Sequence, residues 1–175
     1  DSMNPFILKG IAAPGLTSFV YQTLMTPSYD EPQSYYPLIA SSITLAADRS
    51  YADVTLNPRA RWNDGTAITS ADVLWSLAVL KEKGHPSYRV QFKPITAEAR
   101  GAHALRFHFA DASLRELPLI AVSMPILPRH GFCDDTNAPS GCTPFEKTTL
   151  TPPLGSGPYT VSTVDPGRSI TFARV

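Results

Sequence analysis

Four histidines, two cysteines and one Gly-Ser-Gly segment are the parts of this sequence whose residue types could do chemistry. A zinc site on a helix wants histidines at i and i+4, and one on a strand wants them at i and i+2. His103 and His108 lie five apart on a stretch that reads as a strand, so they face opposite sides. His85 and His130 supply no second pair in register. Satisfied or exposed histidines are the expectation, with no metal and no other cofactor. Cys133 and Cys142 bracket eight residues of the turn-rich segment FCDDTNAPSGCTPF. They are either a disulfide closing a short exposed loop, which suits the Cα separation of ~4.4–6.8 Å that the bond demands, or two unrelated thiols. A bridge would imply an oxidising compartment. Ser156 lies between Gly155 and Gly157, but Leu154 and Pro158 break the G-x-S-x-G spacing of a nucleophile elbow, and no helix signal follows. Glycine patterns that cradle phosphates are absent, and Asp64 and Asp72 are taken up by a turn and a cap. The roles a catalytic site requires do not assemble, so the chain reads as a non-enzyme. A hydrolase using Ser156 or a thiol is the alternative from that class.

Charge and length narrow the classes further. Lys+Arg 15 balance Asp+Glu 15 over 175 residues, which argues against a nucleic-acid partner and against a polybasic hold on a membrane surface. Hydrophobic residues make up 43%, enough for a real core, while 17 prolines make the chain loop-rich. No apolar stretch approaches the ~18 residues that a membrane span needs. The longest, Leu117 to Leu127, is interrupted by Pro118 and Pro125. The chain opens at Asp1 with no signal-like segment, so its targeting information is expected to lie elsewhere.

The elements that would position these residues give a mixed α+β pattern. Phe6-Ile7-Leu8 reads as a strand running into a loop of small residues. A helix is expected from about Pro14 to Met25, with Leu16, Phe19, Val20 and Leu24 on one stripe. Ile43 and Leu45, then Ala52, Val54 and Leu56, alternate around an Asp48-Arg49-Ser50 turn as a β-hairpin. Asp64-Gly65 marks a tight turn. Thr69 and Asp72 form a capping box opening a helix whose stripe is Val73, Leu74, Leu77 and Leu80, closed by Gly84. Leu105, Phe107 and Phe109 alternate as a half-buried strand, and a short helix follows through Leu114 to Val122. Tyr159 and Val161, a turn at Asp165-Pro166-Gly167, then Ile170 and Phe172 make a second hairpin. Its alternation is still in progress at Val175, so a longer natural polypeptide is expected. Trp62 and Trp75 read as structural. Tyr35, Tyr36, Tyr88 and Phe92 either line a ligand groove or pack the core.

The segment RARWNDGTAITSADVLWSL, Arg59 to Leu77, resembles the signature of extracytoplasmic solute-binding proteins of peptide-type ABC transporters, the oligopeptide/dipeptide/nickel-binding family. The matching positions are Arg61, Trp62, Asp64-Gly65, Thr69-Ser70 and Asp72-Val73. A second family mark is Gly155 to Tyr159, GSGPY, followed by a hairpin. The opening NPFILKGIAAPGL, with VYQTLM and DEPQSYYPLIA after it, is similar to the YejA-like branch. These motif residues read as scaffold: turn, cap and packing.

The resemblance implies a periplasmic-binding-protein-like lobe with an inserted accessory domain, truncated before the second lobe. Residues 1–37 would begin lobe I, 38–149 would form the accessory domain, and 150–175 would return to lobe I. It also implies a periplasmic or lipid-anchored extracytoplasmic receptor, expected to be monomeric, that captures oligopeptides for an inner-membrane ABC permease. Nickel, haem, an opine or a sugar is the alternative cargo. The implied ligand-facing loop is Lys9, Gly10, Ile11, Ala12, Ala13, Pro14, Gly15 and Leu16, with Tyr88 and Phe92 added from the neighbouring lobe. Small side chains there let backbone approach backbone, although such a loop could equally be merely connective.

Overall fold

The computed structural model describes residues 2–32, 34–133 and 143–175. The Cys133–Cys142 bridge expected from the sequence lies outside the described residues. After a π-helical turn at Leu16–Val20, β1 (Met25–Pro27) pairs antiparallel with β2 (Tyr35–Pro37). Then come β3 (Ala40–Leu45), β4 (Tyr51–Leu56), α1 (Ser70–Glu82), α2 (Pro86–Phe92), β5 (Ile95–Gly101) and β6 (Ala104–Phe109). Next are α3 (Leu117–Val122), a short parallel pair of β7 (Phe132–Cys133) with β8 (Thr143–Pro144), and the hairpin β9 (Tyr159–Asp165) and β10 (Ser169–Arg174). The main sheet is four-stranded and antiparallel, in the order β3-β4-β6-β5.

One face of that sheet is apolar because alternation puts every second side chain on the same side. Ala52, Val54 and Leu56 of β4 lie buried with Leu105, Phe107 and Phe109 of β6, and α1 adds Val73, Leu77 and Leu80 to the same core. The other face is an interlocked set of charges. Arg106 holds Asp53 through two 2.7 Å hydrogen bonds and stacks 3.8 Å from the Tyr51 ring centroid. Beside them Glu98 meets Arg100 at 2.8 Å and His108 at 3.3 Å.

Helix α1 starts where its cap says it should. The Thr69 amide donates to Asp72 Oδ2 at 2.9 Å, and the Thr69 hydroxyl donates to the same oxygen at 3.1 Å. Ser70 Oγ donates to the Gly101 carbonyl, and Lys81 Nζ donates to the Ile95 carbonyl, both at 2.7 Å, which ties both ends of the helix to β5. Trp62 is 2% exposed, as a structural residue should be.

Three sequence expectations need correction. The helix expected over Pro14 to Met25 is only the five-residue turn Leu16–Val20, because the backbone beyond it is taken up by tertiary partners. The Val20 carbonyl accepts the Gly157 amide at 2.7 Å, Gln22 accepts from Ile126, and Leu24 accepts from Leu38 and Ala40. Leu16, Val20 and Leu24 are still buried, whereas Phe19 packs outward on Tyr159 and Phe172 of the hairpin. Phe6-Ile7-Leu8 forms no strand: the Phe6 amide is bound by a side chain, and its carbonyl accepts the His85 amide. Finally, the segment around Tyr88 and Phe92, for which the sequence pattern predicts no element, is helical, with Pro86 in its first turn and the His85 ring accepting the Ser87 amide as a cap.

The GSGPY segment packs against the Leu16–Val20 turn. A Cβ on Gly155 would fall inside the contact radius of the Val20 carbonyl oxygen, and one on Gly157 would do the same at the Phe19 carbonyl oxygen. The Asn63 amide donates to the Gly155 carbonyl at 2.9 Å, so the Asp64-Gly65 turn is anchored to the same strip. Gly155→Ala is therefore expected to destabilise by more than about 3 kcal/mol, since backbone has to move. Gly65→Ala, with φ 87° but open space around it, should cost only about 1 kcal/mol. Urea denaturation of the two variants checks the ranking.

Asp64 gives that turn a pH dependence. Partial burial pushes its carboxyl up, but the Thr66 amide and hydroxyl and the neighbouring His130 outweigh burial and hold it below the ordinary 3.8. A lowered native value means that its stabilising contribution is complete above the ordinary carboxylate range and is lost as pH falls through the native value. Asp64→Asn should remove that part of the acid dependence, as measured by urea midpoints between about pH 2 and 7.

Candidate functional site

The candidate site is a loop whose two ends meet. The Ser2 amide donates to the Ile11 carbonyl at 3.0 Å, and the Ala13 amide donates back to the Ser2 carbonyl at 3.2 Å. Residues 3–11 therefore form a closed surface loop on a two-bond base, in the manner of an Ω-loop. Gly10 and Gly15 take φ of 80° and 86°, which lets the chain double back and then enter the Leu16–Val20 turn. The Gly15 carbonyl accepts the Ser18 and Phe19 amides that open that turn.

Between its anchored points the loop offers backbone. The amides of Leu8, Lys9, Gly10 and Ile11 make no hydrogen bond to the described residues, and all four residues are exposed. The side chains of Leu8 and Ile11 are 69% and 79% exposed. Such a stretch leaves several backbone donors to water beside two exposed apolar residues, on a backbone that bends rather than runs as a strand.

Alongside lies a cavity of about 350 Å³, between the loop and the turn of the β9–β10 hairpin. Ile11, Ala12, Ala13 and Pro14 line one side, and Asp165 to Ile170, with Phe172, line the other. Asp165 and Arg168 approach to 3.8 Å across that turn, both solvent-exposed, so screening leaves their pairing weak.

The structure thus brings Ile11, Ala12, Ala13 and Pro14 to one wall, with Lys9 and Gly10 on the exposed bend just before it. Leu16 is 1% exposed and belongs to the core, as does Phe92, also at 1%. Tyr88 sits at the opposite end of the loop. Its ring lies 6.2 Å from that of Phe6 and stacks on Phe92 at 5.8 Å, and half-burial pushes its hydroxyl above the ordinary value. Ser156 is 8% exposed, and its hydroxyl has no hydrogen-bond partner among the described residues. Among the described residues no group of three or more His, Cys, Asp or Glu is arranged to hold a metal.

Sequence reasoning did not place Ser2, Asn4 or the hairpin turn at the site. The Asn4-Pro5 dipeptide is a turn signal that could have drawn attention to the first two. Nothing in the local pattern tells that Asp165 to Ser169 would face Ile11 across a cavity. Amide hydrogen exchange provides the check. The amides of residues 8–11 should exchange within a few fold of unprotected rates, while those of Met3 and Ala13, both hydrogen-bonded, should exchange more slowly by about tenfold or more.

A family model described as bacterial extracellular solute-binding proteins, family 5 Middle, matches residues 34–175. The Brucella melitensis protein BMEII0691 is 42% identical over 184 residues, covering 99% of this chain and 29% of that protein. The peptidoglycan-binding protein YepA of Agrobacterium fabrum is 38% identical, over 99% of this chain and 28% of its own length. Among solved structures, NikZ from Campylobacter jejuni in complex with Ni(L-His) superposes with a TM-score of 0.76 at 22% identity, over 99% of this chain and 33% of that one. The oligopeptide-binding protein AppA from Bacillus subtilis, in complex with a nonapeptide, gives 0.74 at 20% identity, over 100% and 34%. The chain spans under a third of the length of these curated relatives.

Proposed function

The chain belongs to the bacterial extracellular solute-binding proteins of family 5, and on that premise we propose that it serves to capture oligopeptides and deliver them to an inner-membrane ABC permease. Its place is the periplasm or another extracytoplasmic setting, in keeping with that family. The observation that carries the reading is the exposed row of unpaired amides from Leu8 to Ile11. A ligand recognised through its main chain pairs with such a row whatever its side chains are, which gives sequence tolerance. Solutes with no repeating amide would leave most of these donors to water.

In this reading residues 1–37 and 150–175 contribute to a first lobe, and 38–149 form an accessory domain. A second lobe closes over the cargo by hinge motion, and no bond in the cargo is made or broken. Lys9 to Gly15 contact ligand directly, and Tyr88 buttresses the loop through Phe6. The AppA complex with a nonapeptide, which shares this fold, is consistent with such cargo.

Thermal unfolding of the protein against a diverse pool of short peptides, with Ni(II)–histidine and an opine as separate arms, tests the proposal. Peptides at about a hundred times their dissociation constant should stabilise by about 2.7 kcal/mol and raise Tm accordingly. A Tm that ignores the peptides and responds to nickel–histidine or the opine overturns it.

A further inference from the structure

We propose that Asn4, assisted by Ser2, is a positioning residue for ligand capture: it holds the exposed amide row of the loop in a fixed shape before any ligand arrives. The proposal rests on the peptide reading above. Asn4 is 4% exposed, and each end of its side-chain amide has a partner. Oδ1 accepts the Phe6 amide at 3.0 Å, and Nδ2 donates to the Phe145 carbonyl at 2.7 Å. The Asn4 amide donates to Ser2 Oγ at 3.0 Å. Around this knot the Met3 amide donates to the Thr149 carbonyl at 2.7 Å, and the Phe6 carbonyl accepts the His85 amide at 2.6 Å.

These bonds join three distant parts of the chain at the root of one loop: residues 2–6, residues 145–149 and the cap of α2. The strand ladders and the α1 cap use none of the Asn4 groups. What Asn4 controls is the stretch beyond Phe6. From Leu8 to Gly10 no hydrogen bond to the described residues holds the backbone, and Ile7, which precedes it, is packed in the core, so the course of the stretch is set by the anchored points at Phe6-Ile7 and Ile11. A short span between fixed ends has few conformations to lose. If the Phe6 amide loses its Asn4 partner, about one more residue's worth of backbone freedom must be given up when ligand binds, which lowers affinity by roughly tenfold. The planar amide is the chemically fitting group, since it offers an acceptor and a donor about 2 Å apart on one rigid plane. Aspartate lacks the donor, and serine lacks the reach.

Calorimetric titration with the peptides that the wild-type protein binds, together with hydrogen exchange of the β4 and β6 amides, tests the assignment. Asn4→Ala is expected to weaken binding about tenfold with a less favourable entropy, while the sheet amides exchange as in the wild type. Ser2→Thr, which keeps the hydroxyl, should bind like the wild type, and Ser2→Ala should bind several-fold more weakly. If Asn4→Ala does not fold, the Ser2 pair decides. Unchanged affinity in both Asn4→Ala and Ser2→Ala overturns the role, and so does an Asn4→Ala loss matched by faster sheet exchange. A wild-type protein that binds no peptide overturns the underlying peptide reading, which is a separate result from intact binding in the variants.

Discussion

The close passage of Gly155 and Gly157 over the carbonyls of Phe19 and Val20 is the constraint on which the rest depends. It requires two positions without side chains, and it occupies backbone acceptors that would otherwise extend the Leu16–Val20 turn into a longer helix. Because that turn stops early, Tyr21 to Leu24 run extended and can bind Ile126, Ile39 and Ala40. Because Asn63 binds Gly155, the Trp62 neighbourhood and the capped start of α1 are fixed relative to the hairpin. The hairpin in turn forms the far wall of the cavity beside the loop.

Tyr21 shows how completely this arrangement removes the chain from water. It is 4% exposed, packs edge-on against Phe6 at 4.9 Å, and desolvation pushes its hydroxyl far above the ordinary value. The aromatic ladder Tyr21–Phe6–Tyr88–Phe92 then runs from the GSGPY contact beneath the loop to α2. The loop therefore rests on rings rather than on mobile aliphatic chains, and rings have few rotamers to sample.

What the sequence revealed and what it hid divide along one line, local against long-range. The α1 cap, the Asp64-Gly65 turn and both hairpins were legible because their signals and their hydrogen bonds lie within a few residues of each other. Leu16, Val20 and Leu24 were misread as a helix because burial at a spacing of four can arise from tertiary contact as well as from helical periodicity. α2 went unseen because seven residues carry too little periodicity, and its cap is a histidine. β5 escaped because its inward residues after Ile95 are alanines, which carry little strand signal. The loop from Lys9 to Pro14 was singled out by resemblance. Its closure by Ser2 onto Ile11 and Ala13 carries no regular strand pattern, and its anchorage at residues 145–149 joins segments more than a hundred positions apart, which no local pattern encodes.

The charged side of the four-stranded sheet has a consequence for how the molecule behaves in a crowded envelope. Asp53 with Arg106 and Glu98 with Arg100 pair opposite signs over a small area, so the field of each is cancelled by its neighbour within a few ångströms. Such a mosaic neither adheres to anionic lipid nor attracts polycations. On this face of the sheet, opposite charges offset one another, so the patch has little net field with which to hold a charged surface.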